Sequence, residues 1–276
     1  MIAVNFPFIK SIHFEELNIP YPKKKTTSYS TDIEILEAIN DSVTFFNANN
    51  CGKYYVFATE AVRSSKNSEL IKTVINDEFG IKLDIISGDT EAVCDFYSVM
   101  CHDANDTGAG VDIGGGSAQI FTFNDKKITN HASLRLGALR LKNLFVSKLF
   151  PNVYELNEMN GYITDKIAER FKKESIPSFY LLGGTSHVID KINRKYLGNS
   201  KLTNDTVYGL FETLNEMPEK KKLKVFEKYA PKREFLVIPC LCVLMCMSEY
   251  FEVKEFIPMD TASREGYVYL KLKENG

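Results

Sequence analysis

The sequence lacks the features that mark several large functional classes. No apolar run is long enough to cross a membrane: the most apolar window, residues 235–247, falls short of the ~18–20 residues a spanning helix needs, and Pro239 interrupts it. That window reads as a buried helix. The first residues show no basic stretch, apolar centre and small-residue cleavage site, so no secretory leader is expected. Neither sign of charge is in excess. With 34 Lys and Arg against 36 Asp and Glu, the formal net charge is -2. This excludes a general polycation for nucleic acid or anionic lipid, and any polyanionic ligand must be gripped by local donors. The 4 histidines, at positions 13, 102, 131 and 187, match no metal-ligand spacing. The 6 cysteines, at positions 51, 94, 101, 240, 242 and 246, show neither paired metal-site spacing nor a disulfide framework. Cys240, Cys242 and Cys246 lie inside the apolar window and read as buried thiols. Together these absences imply a reducing, cytoplasmic setting, without membrane or nucleic-acid partners.

The 276 residues are 44% hydrophobic and 25% charged, an ordinary globular composition with room for two domains. The rhythm of elements is alternating. Thr31-Asp32-Ile33-Glu34 reads as a capping box, followed by Ile35, Leu36, Ile39, Val43 and Phe46 at helical spacing. A β-rich run at 53–58, a helix capped near Asn67 or Ser68, a buried strand at 83–86 and a further helix after Ser87-Gly88-Asp89 give strand, helix, strand, helix, the pattern of parallel crossovers. A second unit starts near Gly108, with strands expected at 110–113, 119–123 and 127–133. Helices are expected near 137–149 and 153–172, then a strand at 179–182, a long helical region with a Lys-rich entry, and a last strand near 255–257. The boundary falls near 105–110.

Two glycine-rich turns carry chemistry. Asp112-Ile113-Gly114-Gly115-Gly116-Ser117 joins two strands, and its glycines let backbone N–H groups approach a ligand closely. Such a turn forms an anion-binding concavity, to which Ser117 adds a hydroxyl. Asp112, at the strand end, suits a Mg²⁺ ion, which needs one or two protein carboxylates and completes its shell with water and substrate oxygens. Gly183-Gly184-Thr185 follows another buried strand and opens a helix, whose free N–H groups and dipole attract anions. In the other half, Arg63 ends a strand where a guanidinium could clamp phosphate bidentately. Arg135 and Arg140 are marked by position alone. The run from Lys220 to Lys232, with Arg233, reads as a solvated helix face that could also steer a long anion.

These stretches form an ordered series. Ala58-Thr59-Glu60-Ala61-Val62-Arg63-Ser64-Ser65-Lys66-Asn67 resembles the Ala-Thr-x-Ala-x-Arg-x-x-x-Asn signature of the exopolyphosphatase and guanosine pentaphosphate phosphohydrolase family. Ile86-Ser87-Gly88-Asp89-Thr90-Glu91-Ala92 resembles its Ile-Ser-Gly-x-Glu-Glu-Ala motif, and residues 111–119 resemble its Asp-Ile-Gly-Gly-Gly-Ser-Thr-Glu loop. Ser133-Leu134-Arg135-Leu136-Gly137, residues 182–186 and Arg264-Glu265-Gly266 resemble its remaining landmarks. The resemblance implies an α/β actin-like ATPase architecture: two ribonuclease-H-like lobes, here 1–108 and 109–276, with an interlobe cleft. It implies removal of terminal phosphate from inorganic polyphosphate, or of the 5′ γ-phosphate from guanosine pentaphosphate, with Mg²⁺. Homodimerisation is among the assemblies it allows. Glu91 matches the family's general base. That role suits phosphoanhydride hydrolysis, which depends on positioned water and neutralised oxygen charge.

Three departures stand out. Residues 4–10, Val-Asn-Phe-Pro-Phe-Ile-Lys, lack the aspartate and glycine of the family's first phosphate loop; proline has no N–H to offer. Thr90 replaces the first Glu of the acidic pair. Gln119 stands where the phosphate loop ends in Glu, keeping hydrogen bonding but losing charge. The expected activity is therefore polyphosphate hydrolysis with Arg63 and Glu91 in catalysis, residues 114–117 and 183–185 on phosphate and Asp112 on Mg²⁺. The alternatives are guanosine pentaphosphate hydrolysis, a catalytically weakened polyphosphate or nucleotide sensor, and, from fold alone, a sugar-kinase-like or ATPase role.

Overall fold

The computed structural model describes residues 29–49, 53–102 and 104–274, the side chains of 29–35 and 185 excepted. The degenerate segment 4–10 lies outside the described residues. A first helix, α1, spans Tyr29–Ala48. It begins ahead of Thr31, which corrects the expected capping box: helical backbone already runs through that threonine. No Gly or Pro stands at positions 29–31 to stop it, and an interior Thr costs a helix at most about 0.7 kcal/mol.

Strand β1 (Val56–Ala58) and strand β2 (Leu83–Ile85) pair in parallel, joined by the short α2 (Glu60–Arg63) and α3 (Ser68–Phe79). The return of α3 ends at Gly80, whose left-handed φ of 63° closes the helix. Helix α4 (Gly88–Met100) follows, and from Gly108 the chain builds a 6-stranded sheet. Its strands are β3 (Gly108–Ile113), β4 (Ala118–Asn124), β5 (Lys127–Leu134), β6 (Ser178–Leu182), β7 (Leu202–Thr203) and β8 (Glu255–Pro258), in the spatial order β5-β4-β3-β6-β8-β7. The central β3 pairs antiparallel with β4 and parallel with β6.

The period-2 alternation of these strands separates two faces. Ala109, Val111, Ile113, Ala118, Ile120, Phe179 and Leu181 face one way, into the main core. There they meet α5 (Ala138–Phe145), α6 (Val153–Ala168), α7 (Gly184–Lys195), α8 (Asn204–Glu216), α9 (Glu219–Tyr229) and the apolar α10 (Val237–Tyr250). Cys240, Cys242 and Cys246 are buried within α10. Phe121, Phe123, Tyr180 and Leu182 face the other way, against Phe96 and Val99 of α4. The last helix, α11 (Ser263–Glu274), lies along α4. Tyr267 stacks on Phe57 and donates its hydroxyl hydrogen bond to Asp84 at 2.7 Å, tying α11 to the small sheet.

Candidate active site

The same alternation fixes which polar residues share the α4 face. Asp112 is the cross-strand partner of Gln119, and Gln119 that of Ser133. The three therefore form a row across β3, β4 and β5, on the side covered by α4. Gly88, at the start of α4, sits on Ser133 so closely that a Cβ would lie 2.3 Å from the Ser133 Cβ. Ser87 caps the helix by accepting from the Thr90 N–H at 3.0 Å, and the two hydroxyls lie 2.8 Å apart. Thr90 is exposed and serves the cap, so the loss of a carboxylate there leaves the row untouched. Glu91, next in the helix, reaches Gln119, whose two Nε2 hydrogens are shared among Glu91 Oε2 at 3.3 Å, Ser117 Oγ at 2.8 Å and Ser133 Oγ at 2.9 Å.

Arg63 approaches from α2. One Nη donates to the Ile86 carbonyl at 2.7 Å and meets Glu91 Oε2 at 3.4 Å; the other donates to Glu60 Oε2 at 2.9 Å. The second oxygen of Glu60 accepts from Arg140 at 3.0 Å, and Arg140 Nε donates to the Gly116 carbonyl at 2.6 Å. One carboxylate thus joins both guanidinium groups and, through Arg140, the glycine turn.

That turn is oriented by its carbonyls. Gly114 O accepts from Ala138 N and Gly115 O from Arg140 N, each at 2.9 Å, while Gly116 O takes the Arg140 Nε. In a planar trans peptide the N–H points opposite the preceding C=O. Three consecutive carbonyls facing α5 therefore aim the N–H groups of Gly115, Gly116 and Ser117 away from it. Gly137 lies directly behind, where a Cβ would be 2.4 Å from Gly115 O. The second glycine pair has a further role that sequence alone did not suggest. Gly183 has φ 79°, a region that favours glycine, and a Cβ there would be 2.1 Å from Asp112 Oδ1. At Gly184 a Cβ would be 2.0 Å from an Arg233 Nη. These glycines make room for an acid and a base as well as opening α7. The Thr185 side chain lies outside the described set.

Burial sets the electrostatics. Desolvation pushes the Glu91 carboxyl up from 4.5 to about 7, with Arg63 opposing and Asp112 and Glu60 adding to the rise. Asp112 is likewise raised by burial, to about 6, against the pull of Arg233 and Arg264. Asp95, fully buried on α4, is raised well above its ordinary range by burial and by the negative charges of Asp112, Glu91 and Glu265.

The structure thus gathers Arg63, Glu91, Ser117 and the 114–116 turn into one connected group, with Asp112, Gly183 and Gly184 beside it. Sequence reasoning passed over Glu60 and Asp95, and it counted Arg233 in a solvated charge run. Arg135 is exposed, whereas Arg140 is part of the network. Lys222 corrects the expected solvated face of α9: it is 4% exposed, donates to Asn215 O at 3.2 Å and lies over Phe150.

A mixed sheet with helices on both faces, carrying an acidic residue and a glycine turn at the end of its central strand, defines an α/β fold. Comparison with known proteins specifies it: residues 30–275 match the model of the Ppx/GppA phosphatase family, and the chain belongs to that family. The Ppx/GppA family member of Aquifex aeolicus superposes with a TM-score of 0.79 at 21% identity, over 92% of this chain and 85% of that one. An exopolyphosphatase from Cytophaga hutchinsonii gives 0.79 at 17% identity, over 93% and 88%. The fold is therefore the α/β actin-like ATPase fold of these phosphatases. Among curated proteins, a bifunctional 3-dehydroquinate synthase/phosphatase of Fusobacterium nucleatum is 29% identical over 73% of this chain and 32% of its own length. Exopolyphosphatase 1 of Mycobacterium tuberculosis is 26% identical over 52% and 42%. The chain spans less than half of each of these two relatives.

Proposed function

We propose that this chain hydrolyses the terminal phosphoanhydride bond of inorganic polyphosphate. The observation that carries the reading is Glu91: a carboxylate held in a buried setting at about 7, within a network that also orients three backbone N–H groups. The terminal phosphoryl oxygens are received by the N–H groups of Gly115, Gly116 and Ser117 and by the Ser117 hydroxyl, with Arg63 offering charge from the opposite side. Glu91 accepts a proton from water as the water oxygen attacks the terminal phosphorus. The bridging P–O bond breaks, its electron pair leaves with the shortened chain, and orthophosphate is released. A base near neutrality combines a deprotonated population with useful proton affinity.

The residues fit a divalent cation. Among the described residues no three Asp, Glu, His or Cys side chains converge as a metal cage. Asp112 nevertheless presents a carboxylate beside Gly183 and the phosphate turn, matching the few protein ligands that Mg²⁺ takes. Asp112 would hold the ion, which when bound neutralises charge on phosphate oxygens.

The test is phosphate release from polyphosphate and, in a parallel arm, from guanosine pentaphosphate, with Mg²⁺ present. Release from polyphosphate that falls 10²–10⁴-fold in Glu91→Ala supports the reading. A Glu91→Ala rate equal to wild type sinks the mechanism. Preference for guanosine pentaphosphate reassigns the substrate, and binding without turnover makes the chain a sensor.

A further inference from the structure

The polar row under α4 has one more member than the proposed reaction uses. Gly88 lies over Ser133 on β5, and Glu91 lies against Gln119 on β4. A helix rises about 1.5 Å per residue, so those three residues advance about 4.5 Å, close to the ~4.8 Å between neighbouring strands. Four residues further, about 6 Å along the same helix face, stands Asp95. The next strand in that direction is β3, and the residue of the row on β3 is Asp112. The crossing of α4 over the sheet therefore carries Asp95 toward Asp112, whose negative charge acts on the Asp95 carboxyl.

Asp95 is 0% exposed, and neither of its carboxylate oxygens has a hydrogen-bond partner among the described residues. Buried polar atoms are nearly always satisfied, and a bare buried carboxylate costs several kcal/mol. Some of the other buried polar atoms without a hydrogen-bond partner among the described residues belong to segments around the same strand ends: Ser186 Oγ in the first turn of α7, Arg264 Nε in the first turn of α11, and Thr261 Oγ1 between β8 and α11. Met259 N, on that last segment, bonds to Leu181 O of β6 and fixes it beside the end of β6. Gln119, the cross-strand neighbour of Asp112, is neutral. A second negative charge beside Asp112 is available from the helix above the row.

We propose that Asp95 is a second cation-facing carboxylate, which together with Asp112 selects a hard divalent ion such as Mg²⁺ at the floor of the site. The inference rests on the reading of Asp112 as the cation-holding residue. Two carboxylates with water and phosphate oxygens completing the shell are the usual provision for Mg²⁺. The ion supplies the partner that the two Asp95 oxygens lack, and the fully buried acid becomes a device for retaining it.

The test titrates the full chain with Mn²⁺ alone, read by electron paramagnetic resonance, and records melting in EDTA and in Mg²⁺, so neither readout depends on turnover. The proteins are wild type, Asp95→Asn, Asp95→Ser and Asp112→Asn. Asp95→Asn is expected to bind Mn²⁺ at least tenfold more weakly and to lose most of the Mg²⁺-dependent rise in melting temperature. In EDTA it should melt at or above wild type, because a buried acid crowded by negative neighbours has gone; Asp95→Ser provides the same comparison should the amide pack poorly. Wild-type Mn²⁺ affinity in both Asp95 variants overturns the proposal while leaving the Asp112 reading intact. Loss in the Asp95 variants with wild-type affinity in Asp112→Asn sinks the Asp112 reading instead, and the two-carboxylate floor with it. No Mn²⁺ binding by wild type overturns both.

Discussion

Replacing Glu91 by Gln should make the protein more stable and nearly inactive at once. The folded chain keeps the Glu91 proton up to about pH 7, whereas an ordinary glutamate releases it near 4.5. Between those values the folded state binds the extra proton, so stability falls as pH rises through the window. Each pH unit is worth about 1.36 kcal/mol, so the ionised Glu91 costs of order 3 kcal/mol above pH 7. Glutamine keeps the shape without the charge. Urea unfolding in EDTA at pH 4.5 and pH 8 measures the effect, and the difference between variant and wild type reports Glu91 together with its coupling to Asp95 and Asp112. The variant should match wild type at pH 4.5 and exceed it at pH 8 by an amount approaching that figure. Over the same range, wild-type kcat/KM should rise about tenfold per pH unit up to about 7 and then level. A Gln variant less stable than wild type at pH 8, or a difference independent of pH, would falsify the account of Glu91 as a carboxylate held against its preference.

Gly183→Ala should lose more than about 2 kcal/mol by thermal melting, since it combines a left-handed φ with a Cβ 2.1 Å from Asp112 Oδ1; full stability would refute the strain argued for this position. Glu60→Gln weakens the bond to each of two guanidinium groups, and KM for polyphosphate should rise about tenfold, with kcat changed less. An unchanged KM would remove Glu60 from the positioning of Arg63. Among the described cysteines Cys101 is exposed, and Cys94, Cys240, Cys242 and Cys246 are buried. Of these five, a thiol reagent should therefore modify Cys101 first and reach the other four only on unfolding.

What was legible in the sequence was what local spacing encodes. Alternation along β3, β4 and β6 gave the strands, and the glycine turn between β3 and β4 could be placed because three glycines have few other uses. Edge strand β7 was missed because two residues carry no period. Glu60 was missed because its second partner, Arg140, lies 80 residues away. Its i,i+3 spacing to Arg63 was the available signal. Arg233 closes a lysine-rich run in sequence, and what distinguishes it is the missing Cβ of Gly184, a property of the folded chain. Asp95 stands one helical turn from Glu91, and that spacing was visible. Its complete burial depends on how β3 and α11 close around α4, which no window of sequence contains.

The link between Tyr267 and Asp84 spans 183 residues, and Gly266 packs so tightly on the Cys94 carbonyl that a Cβ would come within 1.7 Å of its oxygen. At about 5–20 residues per second, a ribosome needs roughly 10–40 s to make that intervening stretch. Through that interval Arg63 and Glu91 already exist, but the flank of α4 that α11 will cover, and the aromatic face of Phe57, have nothing against them. Arg63 and Glu91 are thus made early and braced late, and chaperone contact during that delay should concentrate on the segment from β1 to α4.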